Sequence, residues 1–183
     1  SGKTTMKLIS LLLAGAAFAA TAVTAQAEVR FGIMNEAYPP FFAKDASGTW
    51  KGWEIDLMNA VCAEMKETCS VVDVSWDGLI PALQTKKFDV IWSSMSITEE
   101  RLKTIDFTDK YYNTPSKIIV KNDIKFDGVA SLKGKKIGVL KGSTQEKYAN
   151  GELKKVGVVV TPYEAQDQVY LDIKSGRLDG TVA

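Results

Sequence analysis

The stretch Ile137-Gly138-Val139-Leu140-Lys141-Gly142-Ser143-Thr144-Gln145 contains the pattern from which the fold can be predicted. Its first four residues are apolar or small, which is typical of a short buried strand, and Gly142 then favours a turn. A helix is predicted from Gln145 to about Lys155. Strand, glycine turn and helix in this order form the repeating unit of α/β proteins, in which helices cover parallel strands.

Similar units are predicted on both sides of this stretch. Strand patterns occur at 29–33, 71–74, 88–92, 117–120, 158–161 and 178–182, and helical patterns at 54–66, 76–84, 99–104 and 164–174. In the first helical pattern Ile55, Met58, Cys62 and Met65 are spaced by three and four residues, so they are predicted to share one buried face. The alternation predicts an α/β fold with largely parallel sheets, and one α/β set gives way to a second near 113–122.

The composition excludes several kinds of active site. The 183-residue chain has no histidine, two cysteines and a formal net charge of +1. Without histidine there is no Ser-His-Asp triad, no Cys-His pair and no histidine-ligated metal, and two cysteines cannot form a four-cysteine zinc site. No metal site and no cofactor is therefore predicted. The balanced charge, without a basic block, argues against nucleic acid as a partner.

Residues 1–27 are predicted to be a few upstream residues followed by a cleaved secretory signal peptide. Lys7 precedes the apolar run 8–14, and the segment ends in Ala25-Gln26-Ala27, a small-x-small pattern of the kind that signal peptidase cuts. A transmembrane helix is the alternative, but the apolar part is shorter than the roughly 20 residues that span a bilayer. We therefore expect the protein to be exported.

Export changes the interpretation of the two cysteines. Cys62 and Cys69 lie seven residues apart, at the end of a predicted helix and the start of the next extended run. In an oxidising compartment such a pair is most simply a disulfide that links helix to strand. A redox-active pair is the alternative, although the C-x-x-C spacing is absent.

A polar loop at 93–101 follows a predicted strand, which is where α/β proteins place ligands. It combines the guanidinium of Arg101 with four hydroxyl side chains, those of Ser93, Ser94, Ser96 and Thr98. Hydroxyls and an arginine fork suit a carboxylate, which accepts two parallel hydrogen bonds. The alternative is a helix cap at Ser96 or Thr98, with Arg101 paired to a neighbouring glutamate at the surface.

The loop at 142–145 repeats this arrangement in the second half of the chain. A strand ends, and the N–H groups at the start of a helix favour an anion. An ordinary helix cap with Gln145 in a capping box is the alternative. Together the two loops predict a cleft that closes on a small carboxylate-bearing molecule. Tyr38 and Trp76 are at loop positions and could stack on that molecule, or they are half-buried packing residues.

Eight motifs occur in one order along residues 28–183: Tyr38-Pro39-Pro40-Phe41, Gly52-Trp53-Glu54-Ile55-Asp56-Leu57, Trp76-Asp77-Gly78-Leu79-Ile80-Pro81-Ala82-Leu83, Ser93 to Arg101, Phe107-Thr108-Asp109-Lys110-Tyr111-Tyr112, Leu132-Lys133-Gly134-Lys135, Gly142-Ser143-Thr144-Gln145 and Gly176-Arg177-Leu178-Asp179. As a set they resemble the periplasmic polar-amino-acid-binding proteins, which are the solute receptors of ABC importers. The resemblance is strongest to the lysine/arginine/ornithine, histidine and opine binders.

The resemblance implies the type II periplasmic-binding-protein fold, a two-lobed venus flytrap. Lobe 1 would comprise residues 28–115 and lobe 2 residues 116–183. Because the sequence stops directly after an extended run, we expect a C-terminal truncation that leaves lobe 2 and the return to lobe 1 incomplete. An uncompleted sheet exposes an open edge, so such a chain is expected to fold and bind poorly alone.

The resemblance also implies how the backbone end of an amino acid would be bound. Arg101 would hold the α-carboxylate, helped by Ser96 and by the backbone at Ser143 and Thr144. Ser94 would accept a hydrogen bond from the α-ammonium, whose acidic partner in the family lies one or two residues beyond Ala183.

The ligand side chain would be recognised by other residues. Tyr38 and Trp76 would enclose it, and Gln145 would line the second lobe. In binders of basic amino acids an acid in the first loop contacts the distal cation, and here Asn35 or Glu36 would serve.

The implied function is a non-enzymatic periplasmic receptor for a polar, basic amino acid or an opine. It would deliver the ligand to an inner-membrane ABC permease and would be a monomer when complete. One alternative is a dehydratase-type enzyme on the same scaffold, which needs a general acid in the cleft, where Glu36 is the one acid that the sequence places. The other is the ligand-sensing domain of a receptor.

Overall fold

The computed structural model describes residues 28–183, and the predicted signal peptide lies outside them. The helices are α1 (Trp53–Met65), α2 (Leu79–Gln84), α3 (Thr144–Tyr148) and α4 (Gln166–Lys174). The strands are β1 (Val29–Met34), β2 (Ala43–Lys44), β3 (Trp50–Lys51), β4 (Cys69–Val74), β5 (Val90–Ile91), β6 (Ile118–Val120), β7 (Lys136–Leu140), β8 (Val159–Tyr163) and β9 (Gly180–Val182). Strands and helices alternate as the sequence predicts.

The first sheet has the order β4-β1-β5 and is parallel throughout. Its central strand, β1, is buried from Phe31 to Met34 because both of its faces are covered. The core on this sheet includes one face of α1, as the three- and four-residue spacing predicts, but the prediction is wrong for Met65, which is the last residue of the helix and is exposed. Its buried residues are Phe31, Ile33, Met34, Phe42, Ile55, Met58 and Cys62. We call the part of the molecule built on this sheet the first lobe.

The second sheet has the order β6-β9-β7-β8, with β6 antiparallel to β9 and the other pairs parallel. It has a separate hydrophobic core, formed by Leu132, Ile137, Val139, Ala149, Leu153, Val158 and Val182. We call this part the second lobe. The two sheets confirm the predicted α/β fold with largely parallel strands.

Cys62 and Cys69 form a disulfide with a Cα–Cα distance of 6.2 Å. The bond joins the end of α1 to the first residue of β4, which confirms the pairing predicted from the sequence. No free cysteine occurs in residues 28–183.

Three elements differ in detail from their predicted form. Regular β5 contains only Val90 and Ile91, although the main chains of Asp89 and Trp92 also bond to β1. The helix predicted at 99–104 is a single 3₁₀ turn, Arg101–Lys103. The helix after β7 changes to π-helix at Ala149–Leu153, a segment that includes a glycine and an asparagine, both weak helix formers.

Within residues 28–183 no helix combines the length and the apolar character that a membrane crossing requires.

Candidate functional site

A cleft of about 440 Å³ lies between the two lobes. Its walls come from segments that follow the carboxyl ends of β1, β4, β5, β7 and β8. In open α/β sheets this edge is where ligands bind, because the connecting loops diverge there and leave a crevice. The topology therefore gathers segments from distant parts of the chain around one space.

Nine of the eleven residues predicted to bind ligand line this cleft: Tyr38, Trp76, Ser93, Ser94, Ser96, Arg101, Ser143, Thr144 and Gln145. Asn35 and Glu36 are not among the lining residues. The carboxylate of Glu36 instead accepts a hydrogen bond from the backbone N–H of Gln166, at 2.9 Å.

The guanidinium of Arg101 bridges the lobes. Nη1 donates to the carbonyl of Ser96 at 2.8 Å, and Nη2 donates to the carbonyl of Gly142, in the second lobe, at 3.3 Å. The group also lies over the ring of Trp76, with Cζ 5.5 Å from the ring centroid. Burial lowers the pKa of Arg101, although the group stays charged at any physiological pH. In the described part of the chain Arg101 forms no ion pair with a glutamate, since its guanidinium donates to these two carbonyls, although the charge of Glu100 raises its pKa. The alternative of a cap at Thr98 is supported, because its hydroxyl accepts from the N–H of Arg101 at 3.2 Å.

The loop after β7 caps α3 without using Gln145. The hydroxyl of Ser143 accepts from the N–H of Glu146 at 3.0 Å, and the Glu146 carboxylate accepts from the N–H of Gly142 at 2.8 Å. The capping partner is therefore Glu146, at the capping-box position three residues beyond the cap, although its carboxylate accepts from the N–H of Gly142 rather than from that of Ser143. Gln145 faces the cleft, and its amide donates to the hydroxyl of Ser116 at 3.0 Å.

The two serines that follow β5 are held by main-chain and carboxylate contacts. The hydroxyl of Ser93 accepts from the N–H of Met34 at 3.0 Å, which fixes the start of the loop against β1. Ser94 has a positive φ of 53° and donates both its N–H and its hydroxyl to the carboxylate of Glu54, at 3.1 and 2.6 Å. The hydroxyl of Tyr111 donates to the same carboxylate.

Aromatic rings form part of the cleft wall. Tyr38 stacks on Phe41, with ring centroids 5.1 Å apart, and Phe41 stacks on Tyr112 at 5.0 Å. Burial raises the pKa of Tyr38 and that of Tyr112, so both phenols are neutral donors at physiological pH. Trp76 presents its face to Arg101, as described above.

Further polar contacts cross between the lobes. Lys141, after β7, lies 3.3 Å from Asp77, and Lys147 of α3 lies 3.0 Å from Glu100. The contact of Glu36 with the first residue of α4 is a third link. Burial raises the pKa of Glu36, the hydrogen bond from Gln166 opposes this shift, and the charge of Asp167 adds to it.

Sequence reasoning missed several lining residues, among them Gln166, Asp167 and Tyr170 at the start of α4. They follow β8, so the rule that placed ligands after β5 and β7 would have found them. The expectation that Glu36 is the one acid in the cleft is wrong, because Asp167 lines it. Asp167 and Arg101 are the charged residues of the lining.

Residues 28–183 contain no group of three or more histidine, cysteine, aspartate or glutamate side chains placed to hold a metal ion. The donors around the cleft are hydroxyl, amide, guanidinium and aromatic groups. Such a set suits hydrogen bonding to a small polar molecule rather than metal coordination.

Residues 29–177 match the family described as bacterial extracellular solute-binding proteins, family 3. The chain belongs to this family. An L-arginine-binding protein of Pseudomonas aeruginosa is 46% identical over 181 residues, which are 97% of this chain and 70% of that protein. The lysine/arginine/ornithine-binding periplasmic protein of Escherichia coli K12 is 44% identical over 173 residues, covering 93% of this chain and 66% of that protein.

A solved structure of an ancestral arginine-binding protein bound to arginine superposes with a TM-score of 0.80 at 38% identity. The match covers 85% of this chain and 69% of that one. The family-3 chain therefore has the type II periplasmic-binding-protein fold, as the motifs imply. The relatives that these comparisons name are binding proteins, which agrees with the prediction that the chain is not an enzyme.

Proposed function

We propose that this family-3 protein is a periplasmic receptor that binds a basic amino acid, or an opine derived from one, in the inter-lobe cleft. The observation that carries the proposal is the position of Arg101. Its half-buried guanidinium lies on the cleft, between the serine-rich loop after β5 and the N-terminal loop of α3. A guanidinium beside hydroxyls and helix N–H groups is suited to an α-carboxylate.

The remaining lining supplies complementary contacts for the rest of the ligand. Ser94 would accept a hydrogen bond from the α-ammonium, and Tyr38 and Trp76 would offer flat surfaces to an extended side chain. Asp167 lies in the cleft wall, close enough to Glu36 for its charge to raise the pKa of that group. This concentration of negative charge favours a ligand with a distal cation. Relatives of this chain are named for binding arginine and lysine, which also supports a basic ligand.

The remaining parts of the proposal follow from family membership. The lobes are proposed to meet at residues 115 and 116, and lobe closure around the ligand would be the signal read by an inner-membrane ABC permease. Export through the signal peptide at 1–27 would place the protein in the periplasm, as a monomer.

Calorimetric titration of purified protein, expressed from its complete coding sequence, tests the function. The panel contains arginine, lysine, ornithine, histidine, octopine and glutamine. We expect arginine to bind most tightly and Arg101→Ala to weaken binding about a hundredfold, equivalent to about 2.8 kcal/mol at 1.4 kcal/mol per tenfold. The loss is large because the ligand carboxylate would lose a desolvated, hydrogen-bonded partner.

Arg101→Lys and Arg177→Lys make a matched pair for this experiment. Lysine lacks the guanidinium fork, so the first exchange is expected to weaken binding substantially. Arg177 is an exposed residue paired with Asp172 outside the cleft, and its exchange should leave affinity unchanged. Wild-type affinity in Arg101→Ala would contradict the proposed site. Tighter binding of glutamine than of arginine would keep the receptor and overturn the basic ligand.

A further inference from the structure

Glu54 is a buried carboxylate that the proposed binding scheme leaves without a role. It is the second residue of α1, and its relative exposure is 0%. Within residues 28–183 no lysine or arginine forms an ion pair with it. An anion buried without a cation is costly, so its retention calls for a physical reason.

All the partners of this carboxylate are neutral donors, and two of them come from one cleft residue. Ser94 donates its N–H to Oε1 at 3.1 Å and its hydroxyl to Oε2 at 2.6 Å, and the hydroxyl of Tyr111 donates to Oε1. The first turn of α1 adds the positive end of a helix dipole. These donors can stabilise negative charge without neutralising it.

The contacts fix both the backbone and the hydroxyl orientation of Ser94. A φ of 53° is a left-handed conformation that a residue other than glycine keeps only when its surroundings impose it. Because the hydroxyl proton is directed at Glu54, the oxygen can act only as an acceptor toward its other neighbours, which are the side chain of Tyr112 and any donor in the cleft that Ser94 lines. Ser94 is thereby set as an acceptor, which suits a cationic donor and disfavours an anion.

We propose that Glu54 is a positioning residue for ligand recognition: it orients Ser94 as an acceptor and adds negative charge close to the ligand's α-ammonium. A donor at ordinary hydrogen-bond distance from the Ser94 hydroxyl would lie roughly 5 Å from the Glu54 carboxylate. In a partly buried cleft, opposite charges at this separation attract appreciably. The ligand thus provides a cation, which residues 28–183 do not supply to Glu54 as an ion-pair partner. This inference rests on the proposed function, in which the ligand is an α-amino acid.

The test compares Glu54→Gln with wild type on two probes, L-arginine and 5-guanidinopentanoic acid, which is arginine without its α-amino group. We expect Glu54→Gln to weaken arginine binding roughly 30-fold and to change binding of the deamino probe less than threefold. Glu54→Asp retains the charge and is expected to restore most of the preference for arginine. Glu64→Gln, at an exposed position of the same helix, is the matched control and should change neither affinity.

A structural role alone would lower both affinities equally, and that result would overturn the inference, as would unchanged arginine binding. If circular dichroism shows Glu54→Gln to be unfolded, Ser94→Ala replaces it, with the same selective loss expected. Should wild type prefer another α-amino acid, the comparison uses that compound and its deamino form. Failure of wild type to bind any amino acid would instead refute the proposed function, and this inference with it.

Discussion

At the scale of single residues, Gly32 shows how little space the first lobe leaves at its centre. It lies in β1, opposite the ring of Phe88, whose relative exposure is 1%. A Cβ added at Gly32 would come within 2.4 Å of that ring. Because Phe88 is enclosed, its ring has little room to move aside. The glycine is required here for space rather than for a turn.

Gly32→Ala is expected to lower the free energy of unfolding by about 1–3 kcal/mol, the usual cost of an overpacked core. Gly151→Ala is the matched control, because no atom lies within 4 Å of the added methyl group and alanine is the better helix former. Urea denaturation of both variants checks this. Equal stability of the two variants would show that the core can expand around Phe88.

At the scale of elements, the disulfide joins α1 to β4 just where the chain reverses direction. The helix ends at Lys66, which has a left-handed φ of 58°, and β4 begins at Cys69. The bond closes a short loop from Cys62 to Cys69. It thereby restricts the unfolded chain and fixes the end of α1 beside the strand on which it packs.

Replacing both cysteines by alanine is expected to lower the free energy of unfolding by about 2–3 kcal/mol, from the chain entropy of so short a loop. Reduction of the wild-type disulfide should give a similar loss, and reductant should leave the double variant unchanged. The measurement is the urea midpoint, with thiol titration to verify reduction. A fully reduced wild type with an unshifted midpoint would contradict the expected contribution.

At the scale of the whole molecule, few and mainly polar contacts hold the lobes together across the cleft. The salt bridge of Lys147 with Glu100 is exposed at both ends, so it contributes little. The hydrogen bond from the N–H of Gln166 to the Glu36 carboxylate is partly buried and links residues 130 positions apart. Removal of the Glu36 side chain is therefore expected to weaken lobe closure.

Glu36→Ala is expected to lower the affinity for all ligands about tenfold, because the closed form would lose a hydrogen bond to a charged group. Glu36→Gln keeps a carbonyl acceptor for Gln166 and should weaken binding less than threefold. Calorimetry with arginine and glutamine checks both variants. If Glu36→Gln lowers the affinity for arginine tenfold and leaves the affinity for glutamine unchanged, Glu36 contacts the distal cation of the ligand instead. The position of Glu36 in the first loop predicts that outcome.

The fold was largely predictable because its signals are local. The spacing of Ile55, Met58 and Cys62 identifies the buried face of α1, and glycine and hydroxyl residues mark the ends of strands. Most of the cleft was predictable for the same reason, since its loops follow those strands. The contribution of α4 to the cleft was missed because the polar residues at its start are also typical of a helix that faces solvent.

By itself, the sequence determined the α/β architecture, the disulfide, the family and the loops that surround the cleft. Each of these features can be recognised from residue types and from spacings of a few positions, and such local signals do not depend on how the chain later packs. The tertiary structure decided which partner each side chain has. Ser94 reaches Glu54 only after the first sheet has formed, and Arg101 reaches Gly142 and Glu36 reaches Gln166 only after the two lobes have met. These segments are 40 to 130 residues apart, and local periodicity does not encode such pairings.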